Sequence, residues 1–231
     1  MVNESSPKTR ERTDRRTARW TGHRAERRAA LVESAIEAIA EHGPTVSTQQ
    51  IAEHAGVARP QLYRHFRDAQ DLQRAVALRA AELVVAEMAP SLTSPAGTSA
   101  QVIEQAVGTL VRWLAGHADL YWYVAKRGGT PSEGSVAADI RETLATQLSA
   151  LLNAYLTVFG VRTPVTDTLA FGLVGFVESA TDRWLNDPGE VSLDQLVGHL
   201  SSWVWGVLDH ALRSEGVELD PDQPLPSGVL G

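Results

Sequence analysis

The stretch from Ser47 to Phe66, SerThrGlnGlnIleAlaGluHisAlaGlyValAlaArgProGlnLeuTyrArgHisPhe, constrains this chain more than any other. It reads as two short helices joined by a tight turn. Ser47 with Gln50 three residues on matches a capping box, in which each side chain satisfies a backbone N–H of the other. The first helix turns Ile51, Ala52 and Ala55 inward. Gly56 falls in the turn, where a positive φ is open to glycine and strained for other residues. Val57 packs beneath it. Ala58 or Arg59 leads into the second helix, with Pro60 in the first turn, where a missing N–H costs nothing. Leu62 and Phe66 are four apart and share the buried face.

That arrangement leaves Arg59, Gln61, Arg64 and His65 on the other faces of the second helix. A short helix presenting Arg, Gln and His suits a major groove, where Arg reads guanine and Gln reads adenine. An αα-hairpin with no nucleic-acid role has the same outline, so the distribution of charge carries weight. Residues 1–79 hold 14 Lys and Arg against 10 Asp and Glu, while residues 80–231 hold 7 against 18. The net charge of −7 therefore hides a basic end and an acidic body, as expected if only one end approaches phosphates.

The pattern Ile51-Ala52, Ala55-Gly56-Val57, Leu62-Tyr63 and Phe66, followed by Asp71-Leu72, resembles the helix-turn-helix of the TetR family of bacterial regulators. The resemblance covers roughly residues 25–80. It implies an all-α fold: an N-terminal three-helix helix-turn-helix DNA-binding domain, joined by a fourth helix to a C-terminal helical ligand-binding and dimerisation domain. It also implies base reading by Arg59 and Gln61, with Arg64, next to Pro60. Phosphate contacts are implied for Thr48, Gln49, Tyr63 and His65. The family often carries a lysine early in the next helix; Ala69 stands there in this chain, with Arg64 or Arg67 as replacements.

Taken in order, residues 1–23 are polar and rich in arginine and read as a flexible basic arm. Its role is either none or a contact with phosphates or in a minor groove beside the main site. Residues 24–84 form the DNA-binding domain. Its first helix, about Arg24–His42, carries Leu31, Val32, Ala35, Ile36 and Ile39 at helical spacing and stops at Gly43-Pro44. Arg24, Arg27 and Arg28 near its start are candidates for a nearby phosphate. A fourth helix is expected over Asp68–Met88, with a stripe that includes Leu72, Val76, Leu78 and Leu83, and a loop begins at Pro90. Residues 85–213 then read as helices about Ala100–Gly116, Asp119–Arg127, Ser135–Phe159, Val165–Leu185 and Leu193–Arg213. Gly128–Gly134 is a connection, and 214–231 a flexible tail.

The chain has no cysteine, so disulfides, thiolate metal sites and thiol nucleophiles are absent. No apolar run reaches the roughly 18 residues that suggest a membrane span, and the charged N-terminus lacks a signal-peptide core. A cytoplasmic protein with no membrane partner is the expectation. None of the seven histidines shows a HisGluXXHis or other metal-ligand spacing, and no catalytic constellation is visible, so no cofactor, metal or enzymatic activity is expected. Glu178 and Asp182 share a helix face with Arg183 adjacent, which reads as a salt-bridge network.

Most aromatics past the first domain must be core. The family resemblance places a ligand cavity among the same helices, and aromatic-lined pockets bind apolar molecules well. The expected lining is Leu110, Trp113, Tyr123, Leu148 and Phe176, with Asn153 or Glu178 as polar anchor and an apolar or aromatic small molecule as effector. The last two helices are apolar on more than one face and need burial on two sides. One side suits a second copy of the chain, giving a homodimer through about residues 165–213 and, with it, a near-palindromic operator in double-stranded DNA. The function expected is that of a sequence-specific transcriptional regulator, a repressor relieved by a ligand. The competing readings are an architectural DNA-binding protein that needs no effector and a helical enzyme.

Overall fold

The computed structural model describes residues 7–93, 97–126, 136–158, 160, 165–218 and 220–223. Among them nine helices occur and no strand. The chain divides into two units, Met1–Val76 and Ala77–Gly231, with the boundary inside one helix.

The first unit holds α1 (Pro7–His42), α2 (Thr48–His54), α3 (Arg59–Leu62) and the start of α4 (Ala69–Thr93). Leu31, Val32, Ala35, Ala38 and Ile39 of α1 are buried with Val46, Ile51, Ala52, Leu62, Phe66, Leu72 and Val76. Two expectations need correction here. Helix α1 begins at Pro7 rather than Arg24, so most of the segment read as a flexible arm is helical. Between Pro7 and Gly22 there is neither glycine nor proline, and Arg, Lys, Glu and Ala are strong helix formers. Polar composition alone was a poor guide. Helix α4 continues to Thr93 with Pro90 inside it, because a proline near a helix end forfeits one backbone bond. Its Leu78 is 47% exposed, and Ala77, Ala80, Ala81 and Val84 are buried in its place.

The second unit adds α5 (Ser99–Gly116), α6 (Ala118–Lys126), α7 (Val136–Val158), α8 (Thr166–Asn186) and α9 (Leu193–Ser214). Capping boxes start α5 at Thr98 and Gln101 and α9 at Ser192 and Gln195, which is why both boundaries lie within a residue of expectation. Helix α5 packs on α8 and α9, and α7 on α8. The core joins Val84, Val107, Leu110, Val111 and Leu114 to Leu173, Val177, Val197 and Leu200. The start of the tail is not loose. Val217 is buried, and the N–H groups of Ser99 and Ala100 donate to the carbonyls of Gln223 (3.3 Å) and Pro221 (3.1 Å). These are orphan donors of a helix N-terminus, and the tail satisfies them. The connection Gly128–Gly134 lies outside the described residues. No helix of the described residues is long and apolar enough to cross a membrane.

Candidate nucleic-acid interface and effector cavity

Local chemistry builds the first site. Ser47 accepts from the N–H of Gln50 at 3.2 Å, and the Gln50 side chain accepts from the N–H of Ser47 at 3.0 Å, so α2 opens on the expected capping box. Gly56 has φ +65°, and the N–H of Val57 donates back to Ala52 at 2.9 Å, closing the turn. Ala58 is the N-cap of α3, which puts Arg59 and Pro60 in its first turn. The α-helical part ends at Leu62. Residues 63–66 continue it in tighter turns, with the N–H groups of Arg64 and His65 donating to Gln61 and Leu62 at 3.2 and 3.0 Å. Leu62 and Phe66 are fully buried, whereas Arg59, Pro60, Gln61 and Arg64 are exposed.

The contacts sort the sequence-derived candidates. The Tyr63 hydroxyl donates to Thr48 Oγ1 at 3.4 Å, and the Arg59 guanidinium lies 5.6 Å from the Tyr63 ring centre. Its side-chain hydrogen bonds with Thr48 and Arg59 hold the Tyr63 phenol below its usual range. Thr48, Arg59 and Tyr63 therefore form one connected group across α2 and α3. Gln49 is exposed, its amide donating to Glu53 at 2.7 Å, so a phosphate there competes with an intrahelical partner.

Arg24 and Arg28 are built into the scaffold. Arg28 makes a fork to Asp71 at 2.8 and 3.3 Å, donates to the carbonyl of His65 at 2.6 Å and lies over the Phe66 ring at 4.3 Å. Arg24 donates to the carbonyl of Arg64 at 3.3 Å. Asp71 also accepts from the N–H of Arg67 at 3.0 Å. The Arg28 hydrogen bond, ahead of opposing desolvation, holds the Asp71 carboxyl below its usual value. Partners 43 residues apart leave no trace in local sequence.

Burial, and then the positive charges of Arg24, Arg27 and Arg28, push the His65 imidazole below its ordinary pKa. Its Nδ1 is buried without a hydrogen-bond partner among the described residues. A histidine kept neutral by the fold, but free to protonate when unfolded, stabilises the fold above about pH 6.5. That contribution is lost as pH falls through the folded pKa. Between pH 7.5 and 5 wild-type protein should therefore lose more thermal stability than His65→Gln, as measured by circular-dichroism melts. Asp71 does not confound the comparison, because its contribution is lost only below about pH 4. Equal losses in both proteins would remove His65 from this role.

Elsewhere in the first unit, His54 pairs with Glu37 at 3.3 Å and Glu41 at 3.2 Å. Glu41, His42 and His54 bring ligand atoms within 4.8 Å of one another on exposed side chains, a cluster that linear spacing did not show.

The second site is a cavity of about 320 Å³ walled by residues such as Met88, Leu110, Leu144, Leu148, Val177 and Leu208. A smaller pocket of about 50 Å³ shares Leu110, Leu144 and Val174 with it and adds Trp113, Tyr121, Arg141 and Glu178. Of the residues expected to line a cavity, Leu110, Trp113, Leu148 and Glu178 do so. Tyr123, Asn153 and Phe176 do not. Tyr123 is fully buried in the core. Asn153 is exposed and donates to Ser149 at 3.3 Å. Phe176 points to the outer face, 40% exposed, with its ring 6.1 Å from that of Trp203. Helical periodicity puts apolar residues on faces but does not say which neighbour each face meets. Glu178 pairs with Arg141 at 2.7 Å, and Arg183 pairs with Asp187 at 3.4 Å, so the network expected from Arg183 is replaced by one between α7 and α8.

Comparison with known proteins bears on both sites. Residues 31–76 match the family model for the N-terminal region of "Bacterial regulatory proteins, tetR family". The chain is 30% identical over 220 residues to the uncharacterized HTH-type transcriptional regulator Rv0472c of Mycobacterium tuberculosis, covering 95% of this chain and 93% of that one. In fold it is similar to a TetR-family transcriptional regulator from Streptomyces coelicolor (TM-score 0.63, 18% identity, 83% of this chain and 84% of that one). It is similar also to the transcriptional regulator FadR of Bacillus subtilis in complex with stearoyl-CoA (TM-score 0.59, 16% identity, 76% and 96%). A relative that spans nearly the whole chain, and a helix-turn-helix whose exposed Arg59, Gln61 and Arg64 stand clear of its buried Leu62 and Phe66, lead to one conclusion: the chain belongs to the TetR family of helix-turn-helix, DNA-binding transcriptional regulators.

Proposed function

We propose that this regulator is a homodimeric repressor whose hold on a near-palindromic operator is relieved by an apolar small molecule. The apolar cavity carries this reading, since its size falls within the range of small-molecule sites. Recognition of the operator is assigned to Arg59 and Gln61, with Arg64, as base readers beside Pro60. Thr48, Gln49, Tyr63 and His65 are assigned to phosphates. The lining residues Val85 and Met88 belong to α4, and that helix runs without interruption from Ala69. A molecule that displaces those side chains therefore acts on the helix that follows the recognition segment in the chain. That the similarly folded FadR of Bacillus subtilis holds stearoyl-CoA, an acyl chain on an anionic head, supports an effector here with a long apolar chain.

The second copy is placed on the outer face of α8 and α9. Val165, Phe171, Phe176, Trp203 and Val207 are between 40% and 54% exposed there. A groove lined by Val165, Gly172, Phe176, Trp203 and Val207 joins the two helices. Contiguous exposed apolar surface of this kind marks an interaction site. Gly175, by contrast, faces inward: a Cβ there would lie 3.7 Å from Arg141 Cδ, while at Gly172 it would meet nothing within 4 Å.

Leu148 lines the larger cavity and not the smaller pocket. Leu148→Trp should obstruct that cavity and yield a protein that binds its operator normally but is released less readily by an effector. The check is to titrate operator-bound wild type and variant with stearoyl-CoA and a panel of apolar compounds, following fluorescence anisotropy of the DNA. Coupling is reciprocal, so an active compound must bind the DNA complex more weakly than the free protein. Release of the variant at wild-type concentrations would move the effector elsewhere. A wild type that no compound releases would favour the architectural reading.

A further inference from the structure

The C-terminal ends of α1 and α2 bring together a donor set separate from the residues assigned to DNA. His54, the last residue of α2, places Nε2 3.3 Å from Glu37 Oε2 and Nδ1 3.2 Å from Glu41 Oε2. Glu37 and Glu41 lie one turn apart on α1, which ends at His42. Ligand atoms of Glu41, His42 and His54 lie within 4.8 Å of one another. No linear motif announces the cluster, because its third member comes from another helix.

A neutral imidazole has one N–H and one lone pair. Both nitrogens of His54 nevertheless stand close to a carboxylate oxygen. One N–H satisfies one glutamate, and the lone pair then faces the other, which is repulsive unless a cation intervenes. A proton on the ring is one such cation, and it gives no part to His42. A metal ion among Glu41, His42 and His54 uses all three and leaves the Nε2–H of His54 donating to Glu37. Ligating histidines are ordinarily held in this way, with the second nitrogen on a carboxylate, carbonyl or water.

We propose that Glu41, His42 and His54 form a binding site for a divalent transition metal such as zinc, oriented by Glu37, which staples the C-terminal end of α1 to that of α2. Two imidazole nitrogens and one carboxylate oxygen are a zinc donor set, with the fourth tetrahedral position left to water. Nitrogen donors disfavour magnesium and calcium, which take oxygen. Metal–ligand distances of about 2.0–2.2 Å put tetrahedral ligand atoms about 3.4 Å apart. Glu41 and His54 are already that close, and His42, exposed at the end of α1, closes the remainder by side-chain rotation. The charges of Glu37 and Glu41 balance that of the ion, and the negative end of the α1 dipole adds to its attraction. Bound there, the ion ties the first helix of the helix-turn-helix to α1 and stabilises the folded state by mass action.

The experiment uses untagged full-length protein stripped of metal, as wild type, His42→Ala and Glu37→Gln. His42→Ala removes one ligand at an exposed position and keeps the contacts of His54 with both glutamates. Zinc chloride titrated in competition with the dye zincon should show one ion taken up per wild-type chain, with affinity at least about tenfold lower in either variant. Saturating zinc should raise the melting midpoint of wild type by about 3 °C or more. It should leave that of His42→Ala unmoved, and magnesium and calcium should move neither. If zinc binds and stabilises wild type and His42→Ala alike, the ion sits elsewhere and the proposal is wrong. If wild type takes up no zinc and melts unchanged, the contacts of His54 are those of a protonated imidazole and the site does not exist. A Glu37→Gln protein that binds zinc as wild type does would remove Glu37 from the site.

Discussion

Replacing Arg59 by alanine should weaken binding to the operator by about 2–6 kcal/mol, roughly thirtyfold to twenty-thousandfold. One bidentate arginine–guanine contact is worth about 1–3 kcal/mol of discrimination, and the proposed two-fold dimer on a near-palindrome would make it twice. The site is well isolated for such a test. Arg59 is exposed in the first turn of α3, with Ala58 as N-cap before it and Pro60 after it. The segment's packing comes from Leu62 and Phe66 instead. The arginine's own contacts, over the ring of Tyr63 and to its hydroxyl, steer the guanidinium and do not hold the fold. The loss should therefore be confined to one base pair in each half-site, and an operator changed at that pair should bind wild type and variant alike. Anisotropy titrations over a range of salt separate this from a phosphate contact. A base reader leaves the slope of affinity against salt nearly unchanged, whereas a lost phosphate contact lowers it by about one per half-site and weakens all sequences equally. The second pattern would move Arg59 off the base-reading face.

Trp203→Glu should convert the dimer to a monomer and reduce operator affinity by about a thousandfold or more. Trp203 is 54% exposed in the single chain, edge-on to Phe176 at 6.1 Å and stacked on His199 at 5.7 Å. The substitution places no charge in the chain's own core, so the monomer should remain helical. In the proposed dimer the same position would be desolvated, and an unpaired buried carboxylate is not tolerated there. A monomer reads half an operator, so its affinity falls toward the non-specific level, typically at least about a thousandfold weaker than specific binding. Sedimentation velocity and operator titration report the two consequences. Gly172→Glu provides a second route to the same end, since the glycine faces the groove and a side chain there meets nothing in its own chain within 4 Å. If both variants sediment as dimers, the α8–α9 face is not the interface.

The helix-turn-helix was legible in the sequence because its determinants are local. A capping box reaches three residues, from Ser47 to Gln50. The Gly56 turn needs one backbone conformation that side chains disfavour, Pro60 tolerates only a first-turn position, and Leu62 with Phe66 spans one helical turn. Each is settled by bonds and sterics within about four residues, so the order of residues suffices to place them. The same holds for the starts of α5 and α9, where capping boxes mark the boundary.

Tertiary structure alone decided which partner each outward group meets. Arg28 reads as one arginine of a basic run, yet it braces the recognition segment through Asp71 and the carbonyl of His65. Glu178 reads as a neighbour of Arg183 and pairs instead with Arg141, 37 residues away. Trp113 and Phe176 are both aromatic residues of the second unit, but one lines a pocket and the other faces outward. Pro221 and Gln223, in a stretch composed like a loose tail, complete the start of α5. In every such case the choice depends on which helix packs against which, a balance of burial and pairing summed over distant segments. Residue order within a single turn carries the period of a helix, and it carries no information about what stands opposite.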